Sequence, residues 1–111
     1  MSLSRREEQV LLAIWNLGDG AYMLSITNYL NEKTTMKWTI GSVQKPLLQL
    51  ERKQYIITEM GASTAKRGGR RKKMCRITPD GVAALKALKS EQEVLWQDFM
   101  QGLPVGENGV A

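Results

Sequence analysis

The chain has 111 residues, room for one domain with a modest core, and its 42% hydrophobic and 24% charged content is that of a folded rather than a disordered protein. A net charge of +5 and a pI near 9.6 favour an acidic partner: nucleic acid, an anionic membrane surface or an acidic protein. One cysteine and no histidine exclude an internal disulfide, a Cys/His zinc site and histidine acid–base catalysis.

The positive charge is concentrated. From Met60 to Pro79 there are seven cations and no acid, whereas from Gly81 onward two cations face four acids. The start, MSLSRREEQ, is polar and carries no signal-peptide pattern, and the longest apolar run, VLLAIW, is far too short to cross a bilayer. A cytoplasmic location is expected, with no metal and no cofactor.

In chain order, Ser4 to Leu17 reads as a helix. Ser4 and Glu7 form a capping box, and Val10, Leu11, Ile14 and Trp15 make an apolar stripe. Gly18-Asp19-Gly20 stops it. Met23 to Lys33 reads as a second helix with Ile26, Tyr29 and Leu30 inward. A third spans 38–54, with Thr39 as N-cap and Trp38 and Val43 in hydrophobic-staple positions. Ile40, Val43, Leu47 and Leu50 fall on one of its faces; Gly41, Ser42, Lys45, Gln49 and Arg52 fall on the other. Pro46 removes a backbone donor inside this helix, and a kink or a tightened first turn is expected.

Residues 55–62, YIITEMGA, and 72–78, KKMCRIT, read as two strands of a hairpin. Between them lies AKRGGRR, with Lys66, Arg67, Gly68, Gly69, Arg70 and Arg71, followed by Lys72. Thr78 then caps a long last helix, with Pro79 at its first position and Asp80 complementing the dipole. Val82, Leu85, Leu88, Leu95 and Phe99 recur along it, interrupted by Gln92.

Three short helices, a hairpin and a further helix spell a mainly α fold: a winged helix-turn-helix plus a long C-terminal dimerisation helix. Residues 1–78 are expected to form the winged helix-turn-helix, with the wing at about 55–78. The last helix occupies 79–101 and a flexible tail 102–111, all within one compact domain. In such a fold the helix 39–53 enters the major groove and offers three or four side chains to the bases. Thr39, Ser42, Gln44, Lys45 and Gln49 are the candidates; Gln can pair with adenine and Lys can contact guanine. The wing, Lys66 to Lys72, uses glycine for close backbone approach and cations to displace phosphate counterions.

Three stretches also resemble PadR-type transcriptional regulators. GGRRKKMCRITPDGVAAL, 68–85, resembles their wing and following helix; TIGSVQKPLLQLERKQYI, 39–56, their recognition helix; and GAYMLSITNYL, 20–30, their second helix, with Tyr22 at the usual tyrosine. The resemblance covers roughly 4–100. It implies a dimeric DNA-binding repressor in which the last and first helices build the dimer interface, here through Leu85, Leu88, Gln92, Leu95, Trp96 and Phe99. It also implies a small-molecule effector in some members, for which Trp15 and Trp96 could flank an interfacial cavity. Dimer core is the competing role of those two tryptophans. Many members carry a tyrosine where this chain has Gln44, a proline one step before Pro46, and a glycine where it has Gln54. Glycine adopts a left-handed cap cheaply, so Gln54 implies strain or a different helix end.

Double-stranded DNA with a two-fold symmetric operator is therefore the expected partner, beside a second copy of the chain. The basic stretch could instead be a solvated surface, but its charge density and glycines favour nucleic acid. A membrane partner is disfavoured, because no basic amphipathic helix is present to insert. The alternative is a non-enzymatic winged-helix module that binds RNA or an acidic protein. An enzyme is disfavoured: the glycine-containing stretch from Gly61 to Lys72 lacks the strand–loop–helix context of a phosphate-binding loop. Cys75 could sense redox state through neighbouring cations, but a buried structural thiol is the favoured reading.

Overall fold

A computed structural model of the protein describes residues 2–61 and 72–104. The order is α1 (Arg5–Leu17), a single 3-10 turn (Gly18–Gly20), α2 (Met23–Lys33), α3 (Ile40–Arg52), β1 (Ile56–Met60), β2 (Lys73–Ile77) and α4 (Pro79–Gln101). The six expected elements are all present. The strands are antiparallel, with Ile56 opposite Ile77 and Met60 opposite Lys73. The tip expected to join them, residues 62–71, and most of the expected tail, 105–111, lie outside the described residues.

Local rules account for the helix starts. Ser4 Oγ accepts from the Glu7 N–H at 3.1 Å, and Glu7 Oε1 accepts from the Ser4 N–H at 2.9 Å, the reciprocal capping box. Thr78 Oγ1 accepts from the Gly81 N–H at 3.0 Å and starts α4 at Pro79. The core lies where α1, α2, α3 and the hairpin meet. Leu11, Ile14, Ile26, Val43, Leu50 and Ile56 are its most deeply buried side chains, each worth about 1.5–3 kcal/mol of burial. Tyr29 packs against its edge. Two stripe residues depart from expectation. Trp15 is 59% exposed and Ile40, the first residue of α3, is 43% exposed. Pro46 is buried within an unbroken α3, so apolar contact offsets the lost backbone bond.

The exit from α3 is a left-handed cap on a non-glycine residue. Gln54 has φ 64°, the positive-φ non-glycine position among the described residues. Its N–H donates to Glu51 O and the Tyr55 N–H to Leu50 O, both at 3.0 Å, closing a Schellman motif. The strain anticipated at Gln54 is thus present.

Gln54 O and Tyr55 O in turn accept from Thr78 Oγ1 and the Thr78 N–H, at 2.8 and 2.9 Å. Gly81 completes the junction. A Cβ there would overlap the Tyr55 carbonyl oxygen and stand 2.8 Å from Ile77 Cγ1, so only glycine allows α4 to start here.

The second half of α4 leaves the core. Gly81 is the one fully buried residue of this helix, and Val94, Leu95, Trp96, Phe99 and Met100 are 55–69% exposed. The described residues measure 64 × 26 × 20 Å.

A buried ion pair ties α1 to the end of α3. Lys53 Nζ lies 2.7 Å from Glu7 Oε1 and also donates to Ser2 O at 2.9 Å; Glu7 is 3% exposed. Burial opposes ionisation of Glu7. The Lys53 hydrogen bond, the Ser4 N–H and the Lys53 charge outweigh it and hold the carboxyl below its ordinary value of 4.5.

Two outcomes follow from these contacts. Gln54→Gly is expected to stabilise the protein by about 1 kcal/mol, read as a higher urea midpoint at constant slope. Lys53→Met strands a buried carboxylate. It should cost on the order of 2–3 kcal/mol at neutral pH, below the ~3–5 of a fully buried pair because Lys53 keeps some solvent contact. The Glu7 contribution is complete above pH 4.5 and is lost as pH falls through its depressed folded-state value. The gap between wild type and variant in urea titrations should therefore narrow at acid pH.

Candidate nucleic-acid interface

The turn between α2 and α3 is held by a residue that sequence periodicity does not reveal. Asn31 Nδ2 donates to Trp38 O at 2.9 Å, and Asn31 Oδ1 accepts from the Trp38 N–H at 2.6 Å. This two-point clamp fixes the backbone just before α3. The Trp38 ring is buried beneath it and Val43 is buried one turn on, as the staple requires. The guanidinium of Arg6, on α1, lies 5.6 Å from the centroid of the Trp38 ring.

Thr39 caps α3, as its side chain suggests, but Ser42 is drawn into the same cap. Thr39 Oγ1 accepts from the Ser42 N–H at 3.1 Å, and Ser42 Oγ accepts from the Thr39 N–H at 2.8 Å. Ser42 Oγ also donates to Thr39 O at 3.0 Å. Its hydroxyl proton is already committed, which leaves Ser42 a weaker candidate for base reading than its position alone suggests. Gln44 and Lys45 are exposed and Gln49 is half-buried.

These polar residues separate onto two flanks. Gln44 borders a small cavity of about 90 Å³ between α3 and the hairpin, with Leu47, Cys75 and Lys73. Ser42, Lys45 and Gln49 line a larger cleft of about 660 Å³, whose other wall is the first turn of α1 with Arg5 and Arg6. Arg5 and Arg6 escape a search for basic runs, since Glu7 and Glu8 follow at once and make the segment look like a balanced helix start.

Of the wing cations, Lys72 is described; Lys66, Arg67, Gly68, Gly69, Arg70 and Arg71 lie outside the described residues. Lys72 Nζ sits 4.3 Å from the centroid of the Tyr22 ring, at the start of α2. On the outer face Arg76 Nε is 3.3 Å from Glu59 Oε1. The Cys75 N–H donates to Ala21 O at 2.8 Å, anchoring β2 beside the α1–α2 connection. The Cys75 thiol is 3% exposed. Burial pushes its pKa up, with Glu51 adding to the rise and Lys73 opposing it. This is a protonated packing thiol, not an activated one.

The residues expected at a dimer interface divide along α4. Leu85 packs on the core of its own protomer, Leu88 is half-buried, and Gln92 Nε2 donates to Glu8 Oε2 at 3.4 Å. Leu95, Trp96 and Phe99 bound an exposed apolar groove, the two rings meeting edge to face at 5.6 Å. Trp15 is not part of that groove.

No protein-family profile and no curated protein matches the sequence. Solved structures do match in shape. A transcriptional regulator from Clostridium thermocellum superposes with a TM-score of 0.71 at 22% identity, covering 89% of this chain and 90% of that one. A PadR family transcription regulator from Clostridium difficile gives 0.68 at 23% identity, over 85% and 95%. The fold is that of PadR-like winged-helix regulators. A Staphylococcus aureus MepR mutant bound to an oligodeoxyribonucleotide gives 0.64 at 24% identity, over 95% of this chain and 69% of that one. Among the described residues no helix is long and apolar enough to cross a membrane.

The clamp makes its own prediction. Asn31→Ala removes two hydrogen bonds at the entrance to α3 and should cost about 1–3 kcal/mol, measured as a lower urea midpoint. Amide exchange at Trp38 and Thr39 should speed up more than exchange in α1.

Proposed function

We propose that the protein is a dimeric, sequence-specific DNA-binding transcriptional repressor. The observation that carries this reading is the polar outer face of α3, presented beside a basic hairpin on a PadR-like fold. In the proposed complex Gln44 and Lys45 reach base edges from the front half of α3. Thr39 and Gln49 face the flanking phosphates. Lys66, Arg67, Arg70, Arg71 and Lys72 lay the wing along the backbone, with Gly68 and Gly69 allowing close approach.

Dimerisation is assigned to α4. Leu95, Trp96 and Phe99 leave large apolar side chains 55–69% exposed beside one another on one helix, the kind of clustered apolar surface that marks an interaction site. Leu88 and Gln92 continue that surface toward the core. Two copies paired through α4 would present two α3 helices to half-sites one helical turn apart, ~34 Å. An apolar or aromatic effector that inserts beside Trp96 would relieve repression if it favours a different helix spacing.

The test joins sedimentation with gel shifts. Wild type should sediment as a dimer and prefer duplex DNA from upstream of its own gene over a scrambled duplex. Trp96→Lys should sediment as a monomer and lose at least tenfold in affinity, because two weak half-sites then bind separately. The double variant Arg70→Ala, Arg71→Ala should weaken binding to both duplexes and flatten the salt dependence. A dimer indifferent to DNA sequence and to the wing would instead point to RNA or an acidic protein as partner.

A further inference from the structure

We propose that the cleft between the first turn of α1 and the outer face of α3 grips the sugar-phosphate backbone of one strand of duplex DNA. Arg6 is its pre-positioned anchor, with Arg5 beside it and the base-reading Lys45 at its α3 edge. The inference rests on the DNA-binding reading and adds, through Arg5 and Arg6, an anchorage that neither the wing nor the base-reading residues supply.

Charge is the first argument. Arg5, Arg6 and Lys45 are exposed, and none is ion-paired with an acid among the described residues. The acid in the cleft wall, Glu7, is buried and committed to Lys53 and to the Ser4 N–H. The cleft therefore presents three cations whose charge is not cancelled locally, which is what a phosphate strand requires.

Placement is the second. The same cleft is lined by Ser42, Lys45 and Gln49, so whatever it holds lies immediately alongside α3. A volume of about 660 Å³ is too open for one inorganic anion and suits a run of backbone.

Pre-organisation is the third. The Arg6 guanidinium lies over the Trp38 ring at 5.6 Å, and Asn31 clamps the Trp38 backbone on both sides. A guanidinium held over an indole face by cation–π attraction keeps N–H donors free for phosphate and loses less rotamer entropy on binding it. It is fixed to the same short segment that starts α3, so its grip on phosphate sets the register of the recognition helix.

Fluorescence anisotropy tests this on the full chain, with a fluorescein-labelled duplex from upstream of its own gene and a scrambled duplex of equal length, over a series of KCl concentrations. The double variant Arg5→Ala, Arg6→Ala should bind both duplexes roughly tenfold more weakly at low salt. Its slope of log affinity against log salt should fall by about 0.9 for each phosphate that the variant no longer neutralises, with the ratio between duplexes unchanged. Arg6→Lys should keep the wild-type slope but not the full affinity, because an ammonium lacks the planar, paired donors of a guanidinium. The double variant Lys86→Ala, Lys89→Ala removes the same charge from α4 and should leave the slope at its wild-type value. Arg5→Ala alone, which leaves the Arg6–Trp38 contact intact, supplies the slope change should the double variant melt early. A double Arg variant indistinguishable from the Lys86, Lys89 control overturns the proposal and leaves the wing-based reading standing. So does one that loses the duplex preference at an unchanged slope. Wild type that binds neither duplex removes both readings together.

Discussion

At Gly81 the backbone of α4 lies against the carbonyl oxygen of Tyr55, closer than any side chain allows. That approach brings three chain segments to one point. The left-handed exit from α3, the start of β1 and the end of β2 are joined there by the two hydrogen bonds from Thr78 to Gln54 and Tyr55. The hairpin therefore closes at its base without depending on its tip, and α4 leaves the core in one direction only. The strained φ of Gln54 is tolerated because two Schellman bonds and the Thr78 contact hold it in place.

The opposite end of α3 is fixed by different chemistry. Asn31 holds the backbone before it, Trp38 fills the space beneath it, and Thr39 and Ser42 satisfy its free donors reciprocally. Lys53, just past its far end, reaches Glu7 on α1. The helix is thus pinned at its start to the end of α2 and past its far end to α1, and its outer face needs no further support. That is why Gln44 and Lys45 can remain exposed without loosening the domain. A buried charge pair is a costly way to join two helices, but it sets their register, which an apolar contact would leave softer.

The fold was largely legible from local patterns. The Ser4–Glu7 box, the Thr39 and Thr78 caps and the stripe of Val43, Leu47 and Leu50 each act over a few residues, and each was readable. What escaped was long-range or depended on context. The Asn31–Trp38 clamp spans seven residues with no repeating pattern, and the Glu7–Lys53 pair spans 46. Ser42 looked like a free polar residue because the capping-box pattern names Glu or Gln at that position; a serine there also reaches the cap N–H. Ile40 matched the apolar phase of α3 yet is exposed. The candidate interface was legible in its charge and on the outer face of α3. Arg5 and Arg6 were hidden by their acidic neighbours, since only the folded chain withdraws Glu7 into its pair with Lys53.

The division of α4 bears on how the proposed regulator would respond to a ligand. Its first half is packed on its own chain through Gly81, Leu85 and the Gln92–Glu8 contact; its second half offers Leu95, Trp96 and Phe99 outward. A helix of 23 residues is ~34 Å long, so in the proposed dimer a small tilt at the exposed end would become a displacement of the whole domain relative to the second copy. For that displacement to reach the proposed operator, the joint between α4 and α3 must be stiff. The Thr78–Gln54–Tyr55 junction supplies that stiffness at one end of α3, and the Glu7–Lys53 pair supplies it across to α1. In the proposed dimer a ligand beside Trp96 need not deform the recognition helix. It need only bind one α4 pairing better than another, and the rigid junction carries the difference to the spacing of the two helices.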